Sequence, residues 1–173
     1  MTRITVQQGD ITKLRVDAIV NAANPALAPG GGVCGAIHSA AGPDLARACA
    51  ALPEVRTGDA VMTPGYDLPA DHVIHAVGPV WHGGDSGEAE LLASCYRRAL
   101  EIAAEAGLRT VAFPAISTGI FGYPPDRAAR VAVDTVETTV TRFPGIEEVI
   151  FCCFDAESAA RHRAALAKRE DGE

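Results

Sequence analysis

Two glycine-bearing stretches hold the residue types that could do chemistry. The first runs Asn21-Ala-Ala-Asn24-Pro-Ala-Leu-Ala-Pro-Gly30-Gly31-Gly32-Val33-Cys34-Gly35-Ala-Ile-His38. Consecutive glycines reach positive φ without a Cβ clash. Their N–H groups can then turn inward together as an anion-binding nest. A helix starting near Val33 adds the positive end of its dipole. The chemistry implied is capture of a phosphate, with Asn24 and Cys34 at the rim. The second stretch is Pro114-Ala-Ile-Ser117-Thr118-Gly119-Ile120-Phe121-Gly122-Tyr123-Pro124. Ser117 and Thr118 offer hydroxyls, and Gly119 and Gly122 free the backbone to approach a ligand. Phe121 stands between glycines in a polar loop. It lies either against a ligand or tucked under the loop with Tyr123 at its edge.

Other residues carry weaker signals. Asp10 follows Gly9 at the end of the first strand, where a carboxylate can read an exocyclic amino group or shape a turn. Gly30-x-Gly32-x-x-Gly35 matches a dinucleotide fingerprint. Residues 21–29 separate it from its strand, however, and no acidic residue ends a following strand at the required distance, so a nicotinamide dehydrogenase is rejected. Cys34 and His38 lie four apart on one helix face, but nothing visible orients His38 as a base. Asp71-His72-x-x-His75 falls on a strand, which turns the two imidazoles to opposite faces. His82, beside Trp81 and Gly83-Gly84, is expected in a mobile loop at the site mouth, and His162 on a helix surface. No metal is expected. The cysteines, Cys34, Cys49, Cys95, Cys152 and Cys153, are odd in number and lack a C-x-x-C pair, which suggests neither a disulfide framework nor a zinc site. All but Cys34 read as small buried hydrophobes.

These residues must be positioned by elements that alternate along 173 residues. Strands are expected at 4–6, 16–20, 60–63, 72–77, 110–114 and 149–154, and helices at 32–41, 44–52, 87–106, 126–142 and 155–168. Alternation of this kind predicts an α/β domain with helices on both faces of one sheet. The apolar strands 16–20 and 110–114 suit its interior. Ligands of such sheets bind beyond the strand C-termini, where both glycine-bearing stretches fall. One domain is expected over 1–168, with 169–173 a frayed tail. A formal charge of −7 and a pI of about 5.2 argue against broad affinity for nucleic acid or anionic membrane. No run approaches the ~20 apolar residues of a membrane helix, and the first residues lack a signal sequence. A cytoplasmic protein is expected.

Five motifs occur in order: Gly9-Asp10-Ile11-Thr12, Asn21-Ala-Ala-Asn24, Gly30 to His38, His75-Ala-Val-Gly78-Pro79-Val-Trp81, and Pro114 to Pro124. Together they resemble the macrodomain family, and within it the MacroD-type branch that processes ADP-ribose, over residues 4–166. The resemblance implies a single three-layer α/β/α macrodomain with a central mixed, mostly parallel sheet. It implies that Asp10 and the Ile11 backbone hold adenine. The amides of Gly31, Gly32, Val33 and Cys34 would face the diphosphate from one side and those of Ser117, Thr118, Gly119, Ile120 and Phe121 from the other. Phe121 would lie against the distal ribose, with Asn24 on its hydroxyls. Backbone amides suffice for a dianion, since charge-assisted hydrogen bonds are worth about 1.5–3 kcal/mol each.

The implied activity is removal of mono-ADP-ribose from esters of Asp or Glu, or deacetylation of O-acetyl-ADP-ribose, with Asn24, Cys34 and Phe121 as the catalytic set and no cofactor. The implied partners are ADP-ribose and mono-ADP-ribosylated proteins, with no nucleic acid and no membrane. Cys34 stands where MacroD-type hydrolases usually carry Asp, and Pro29 where a fourth glycine is common. Three readings follow. Hydrolysis survives, with water held by the ligand's own phosphate and Cys34 a neutral neighbour or thiolate base. The protein binds ADP-ribose without cleaving it. Or Cys34 is a nucleophile served by His38. The first is preferred because the rest of the constellation is intact, and the third ranks last.

Overall fold

The computed structural model describes residues 1–172, with side chains to residue 169. In chain order it holds β1 (Arg3–Gln8), β2 (Ala18–Ala23), α1 (Gly32–Ala41), α2 (Pro43–Ala50), β3 (Ala60–Pro64), β4 (His72–Val77), α3 (Glu88–Glu105), β5 (Thr110–Phe113), α4 (Pro125–Val140), β6 (Glu148–Cys153) and α5 (Ala156–Gly172). The strands form one six-stranded sheet in the order β1-β6-β5-β2-β4-β3. Every pairing is parallel except β3 with β4 at one edge. The expected α/β architecture is therefore present, a mixed and mostly parallel sheet between two helical layers.

Side-chain alternation along the strands feeds two cores. Along β2, Ile19 packs with Ile37 of α1, Leu45 of α2 and Val73 on one face. Ala18 and Val20 pack with Leu92 and Tyr96 of α3 and Val133 of α4 on the other. Thus the connection from β2 leads to α1 on one face, and that from β5 leads to α4 on the opposite face. β2 and β5 are adjacent and parallel. Their C-terminal ends mark a topological switch point, where diverging connections leave a crevice.

Several expectations need correction. The second strand does not stop at Val20; Asn21, Ala22 and Ala23 continue it, paired with His75, Ala76 and Val77 of β4. A polar residue inside an apolar run reads as a strand end unless its cross-strand partner is known. His162 is not on the surface. It is buried, bonds Ser158 O at 2.8 Å and packs on Phe151, ring centroids 5.2 Å apart. The expected frayed tail begins too early, since Arg169 lies within α5 and pairs with Glu137 at 2.9 Å and Asp134 at 3.2 Å. Residue 173 lies outside the described residues. Among the described residues no helix is long and apolar enough to cross a membrane.

Candidate functional site

The first glycine-bearing stretch leaves β2 at Ala23 and enters α1 at Gly32. The first backbone bond of that helix runs from Gly35 N to Gly31 O at 3.1 Å. The N–H groups of Gly32, Val33 and Cys34 lie ahead of it and have no helical acceptor. Gly31, at the N-cap, supplies no side-chain cap. These N–H groups are therefore available as donors. Gly32 adopts φ +57, a conformation that favours glycine. Gly35 is required for a different reason. A Cβ there would collide with the Gly30 carbonyl oxygen, so the glycine strap lies directly on the first helical turn.

Asn24 is the first residue beyond β2. Its Nδ2 donates to Ala28 O at 2.8 Å, and its Oδ1 accepts the Ala28 N–H at 3.0 Å. The side chain is thereby held in one orientation. Cys34 is buried and donates its thiol to the same Ala28 carbonyl at 3.7 Å. A Cβ on Gly30 would stand 3.9 Å from Asn24 Nδ2 and 4.0 Å from Cys34 Sγ, so these three residues are gathered at one point. His38 does not join them. Among the described residues both its ring nitrogens are buried without a partner, and the thiol's neighbours are Ala28 and Asn21. Burial also lowers the His38 pKa. A Cys34–His38 pair is therefore not formed.

Beneath Cys34 lies a polar group that residue types did not reveal. Asn21 Nδ2 sits 3.7 Å from Cys34 Sγ and 3.1 Å from His75 Nδ1. His75 Nε2 reaches Thr63 Oγ1 at 3.0 Å. His75 is fully buried, and burial first, then neighbouring His38, lowers its pKa to about 4. The ring is neutral near pH 7, with Asn21 donating to Nδ1 and Nε2–H facing Thr63.

The second stretch leaves β5 at Phe113. Its root is pinned by Tyr96, whose hydroxyl donates to Pro114 O and accepts from Ile116 N, both at 3.4 Å. Ser117 is buried at φ +69. A Cβ on Gly78, just beyond β4, would collide with Ser117 Oγ and stand 2.6 Å from Ile116 Cγ2. Further on, Trp81 N donates to Phe121 O at 2.8 Å. Since β2 lies between β5 and β4 in the sheet, these contacts carry the second loop across the end of β2. The loop closes on itself through Gly122 N to Gly119 O at 3.0 Å and Tyr123 N to Ser117 O at 2.9 Å. Among the described residues the N–H groups of Ser117 to Phe121 have no acceptor in the protein. Phe121 is half-buried, Ile120 is exposed, and Tyr123 is buried against Trp81. Thr118 is half-buried and bonds Ala115 O at 3.2 Å.

Asp10, at the end of β1, accepts from Thr12 N at 2.9 Å and Thr12 Oγ1 at 2.6 Å through Oδ1, and these bonds lower its pKa. Oδ2 takes part in neither. Ile11 is buried behind it. His82 is exposed, but its loop is tied down: His82 N donates to the Glu88 carboxylate at 2.8 Å. All five cysteines are buried free thiols. No three His, Cys, Asp or Glu among the described residues gather as metal ligands.

The Macro domain family profile matches residues 20–132 of the chain. A macro domain-containing protein of Chlorobaculum tepidum is 59% identical over 160 residues, covering 92% of this chain and 93% of that protein. The O-acetyl-ADP-ribose deacetylase of Klebsiella pneumoniae is 56% identical over 163 residues, covering 92% and 93%. Among solved structures, the Oceanobacillus iheyensis macrodomain with ADP is 38% identical, with a TM-score of 0.93 over 97% of this chain and 92% of that one. Profile, sequence and architecture agree over the segment that bears both loops, and the chain belongs to the macro domain family.

Proposed function

We propose that the chain hydrolyses ADP-ribosyl esters, releasing mono-ADP-ribose from Asp or Glu of proteins and acetate from O-acetyl-ADP-ribose. One observation carries the reading. Among the described residues two runs of backbone N–H groups have no protein acceptor, Gly32–Cys34 on the connection that leaves β2 and Ser117–Phe121 on the loop that leaves the adjacent β5. Such donors suit a diphosphate, with charge-assisted bonds in place of cationic side chains. Asp10 ends β1, three strand spacings from β2, or about 14 Å. An extended nucleotide diphosphate can bridge that span. In this reading Asp10 Oδ2 accepts from the adenine amino group beside the Ile11 backbone. Gly31 to Cys34 and Ser117 to Phe121 hold the diphosphate, and Phe121 lies against the distal ribose.

Asn24 keeps one N–H and the second lone pair of Oδ1 beyond its Ala28 bonds, and these orient the ribose hydroxyls. Water held between the ligand's phosphate and that ribose adds to the ester, and the linkage breaks to give an alcohol and a carboxylate. The ribose oxygen expelled from an ester leaves more readily than an amide nitrogen, so ester substrates tolerate a site without a strong base. The names of similar proteins support the same substrate class: the Klebsiella pneumoniae relative is an O-acetyl-ADP-ribose deacetylase. Buried free thiols at five positions suit the reducing cytoplasm.

A second reading, an ADP-ribose-binding module without turnover, is favoured by one feature. Cys34 offers no carboxylate, and its thiol proton already points to Ala28 O. Incubation with Glu-linked mono-ADP-ribosylated protein and with O-acetyl-ADP-ribose decides between them. Release of ADP-ribose that is lost in Asn24→Ala supports the hydrolase. Calorimetric binding of ADP-ribose without release supports the binding module. Little change in Cys34→Ser supports phosphate-assisted attack, whereas lost turnover with intact binding makes the thiol essential.

A further inference from the structure

A hollow of about 290 Å³ opens on the outer side of the second loop, lined by Trp81, Gly84, Tyr123, Arg127, Arg130 and Val131. The Trp81 and Tyr123 rings meet there, centroids 4.7 Å apart and tilted by 54°. The Arg127 guanidinium lies 5.7 Å from the centre of the Trp81 ring, within cation–π range. Arg127 and Arg130 are three apart on α4 and so are neighbours on its surface. Both are exposed, and among the described residues neither has a carboxylate within 4.0 Å. In a chain of formal charge −7, two cations without an ion-pair partner over an aromatic floor run against the overall balance, with the Glu88 carboxylate turned into the 82–86 backbone.

The walls of this hollow are held rigidly. Glu88 is 1% exposed and accepts three backbone N–H groups, from His82 at 2.8 Å, Gly84 at 3.0 Å and Ser86 at 2.7 Å. Burying a carboxylate is unfavourable unless it is fully bonded in this way; here it fixes the 82–86 strap. Gly84 adopts φ +96, and a Cβ on it would stand 2.9 Å from the Trp81 ring, so the strap rests on the indole. The hydrogen bond from Trp81 N to Phe121 O joins this wall to the loop that lines the crevice. Along the same two loops Ile120 is 93% exposed and Val80 44% exposed.

We infer that the hollow receives an acidic stretch of the polypeptide that carries the ADP-ribosyl group, with a Glu or Asp carboxylate of that stretch held between Arg127 and Arg130. The inference rests on the function proposed above and names how a protein substrate is chosen. Paired guanidiniums match a carboxylate in geometry and charge. Exposed Ile120 and Val80 offer apolar surface that a peptide can cover and a free nucleotide cannot. Single-stranded nucleic acid would also stack on Trp81, but two guanidiniums three residues apart on one helix offer a single anion seat rather than a track for successive phosphates. A small substrate such as O-acetyl-ADP-ribose has no chain to lay in the hollow and is indifferent to it.

Trp81 is the chain's one tryptophan, so its fluorescence reports on the hollow. The probe is an unmodified Glu-rich peptide without aromatic residues. Saturable change in Trp81 emission is expected, with an apparent Kd weakened about tenfold in Arg127→Glu/Arg130→Glu. The uncharged pair Arg127→Gln/Arg130→Gln should weaken it to a lesser degree and serves as a second variant should charge reversal disturb folding. ADP-ribose affinity by calorimetry should stay within about twofold in both. In turnover, the charge-reversed pair should raise KM for a Glu-linked ADP-ribosyl peptide about fivefold or more with kcat unchanged, and leave O-acetyl-ADP-ribose hydrolysis as it was. No response to the peptide, or a response unchanged by the variants, overturns the inference. So does an oligoadenylate that binds more tightly than the peptide at equal salt. A peptide response that vanishes in the variants, in a protein that binds no ADP-ribose, overturns the proposed function and leaves the acidic-peptide assignment standing.

Discussion

The two walls of the crevice hold similar backbone donors in place by different physics. The Gly30–Cys34 wall rests on a buried polar group, with Cys34 over Asn21, Asn21 on His75, and His75 on Thr63. The Ser117–Phe121 wall rests on aromatic packing. Tyr96 stacks near Phe113 at 4.9 Å and bonds the loop root, and Tyr123 packs on Trp81. The polar support includes a buried imidazole that titrates in acid, whereas the aromatic support has no group that titrates near neutral pH. The first wall should therefore respond to acid and to single polar changes, and the second mainly to changes of shape.

The largest effect expected from this contrast is with pH. His75 is held at about 4, below its ordinary 6.5, because burial disfavours the imidazolium. Between those values the unfolded chain carries a proton on His75 and the folded chain does not. Its contribution is complete above pH about 6.5 and is lost as pH falls toward about 4, amounting to about 3 kcal/mol. His38 and His162, also lowered by burial, add to the same slope. Urea unfolding midpoints measured across this range should fall with acid, and His75→Gln should flatten the fall. An unchanged slope in that variant would remove the polar wall's distinguishing property.

Next in size are two substitutions that push each wall off its seat. Gly78→Ala places a methyl group against Ser117 and Ile116, under the aromatic-supported loop. Overpacking of this kind costs about 1–3 kcal/mol, and ADP-ribose binding should weaken with it. Gly35→Ala places one against the Gly30 carbonyl, which is backbone and gives way poorly. Here the gain in helix propensity, about 1 kcal/mol, offsets part of the clash, so the net loss of stability should be the smaller of the two. Thermal unfolding and calorimetry with ADP-ribose would rank them; Gly35→Ala proving neutral would mean that the glycine strap is looser than its geometry implies.

Much of this arrangement is legible in residue order, and the part that is not has a common cause. The α1 span reads directly because Gly31 precedes it and Gly42 ends it. The strand–helix alternation and the two glycine-bearing loops beyond strand C-termini follow from glycine spacing and apolar runs, whereas the switch point needs the β2–β5 pairing. Asn21 and His75 escape notice as a pair because 54 residues separate them; only the β2–β4 register makes them neighbours. Glu88 leaves no mark at all, since its partners are backbone N–H groups of His82, Gly84 and Ser86, available in any residue type. Gly78 was visible as a glycine directly after a strand and before Pro79, but its reason, the approach of Ser117 from another loop, is tertiary.

The smallest expected effect on stability separates fold from binding. A Cβ on Gly31 or on Gly119 meets nothing within 4 Å, one glycine in each wall. Neither has a positive φ. Alanine at either site keeps the N–H donor and should change stability by no more than about 0.5 kcal/mol. If both loops approach a diphosphate closely, the added methyl groups meet the ligand instead, and ADP-ribose affinity should fall in both variants while the unfolding midpoint stays put. Loss at Gly119 alone would make the aromatic-supported loop the tighter contact. Loss at neither would place the ligand away from these amides, and with it the case for two cooperating walls.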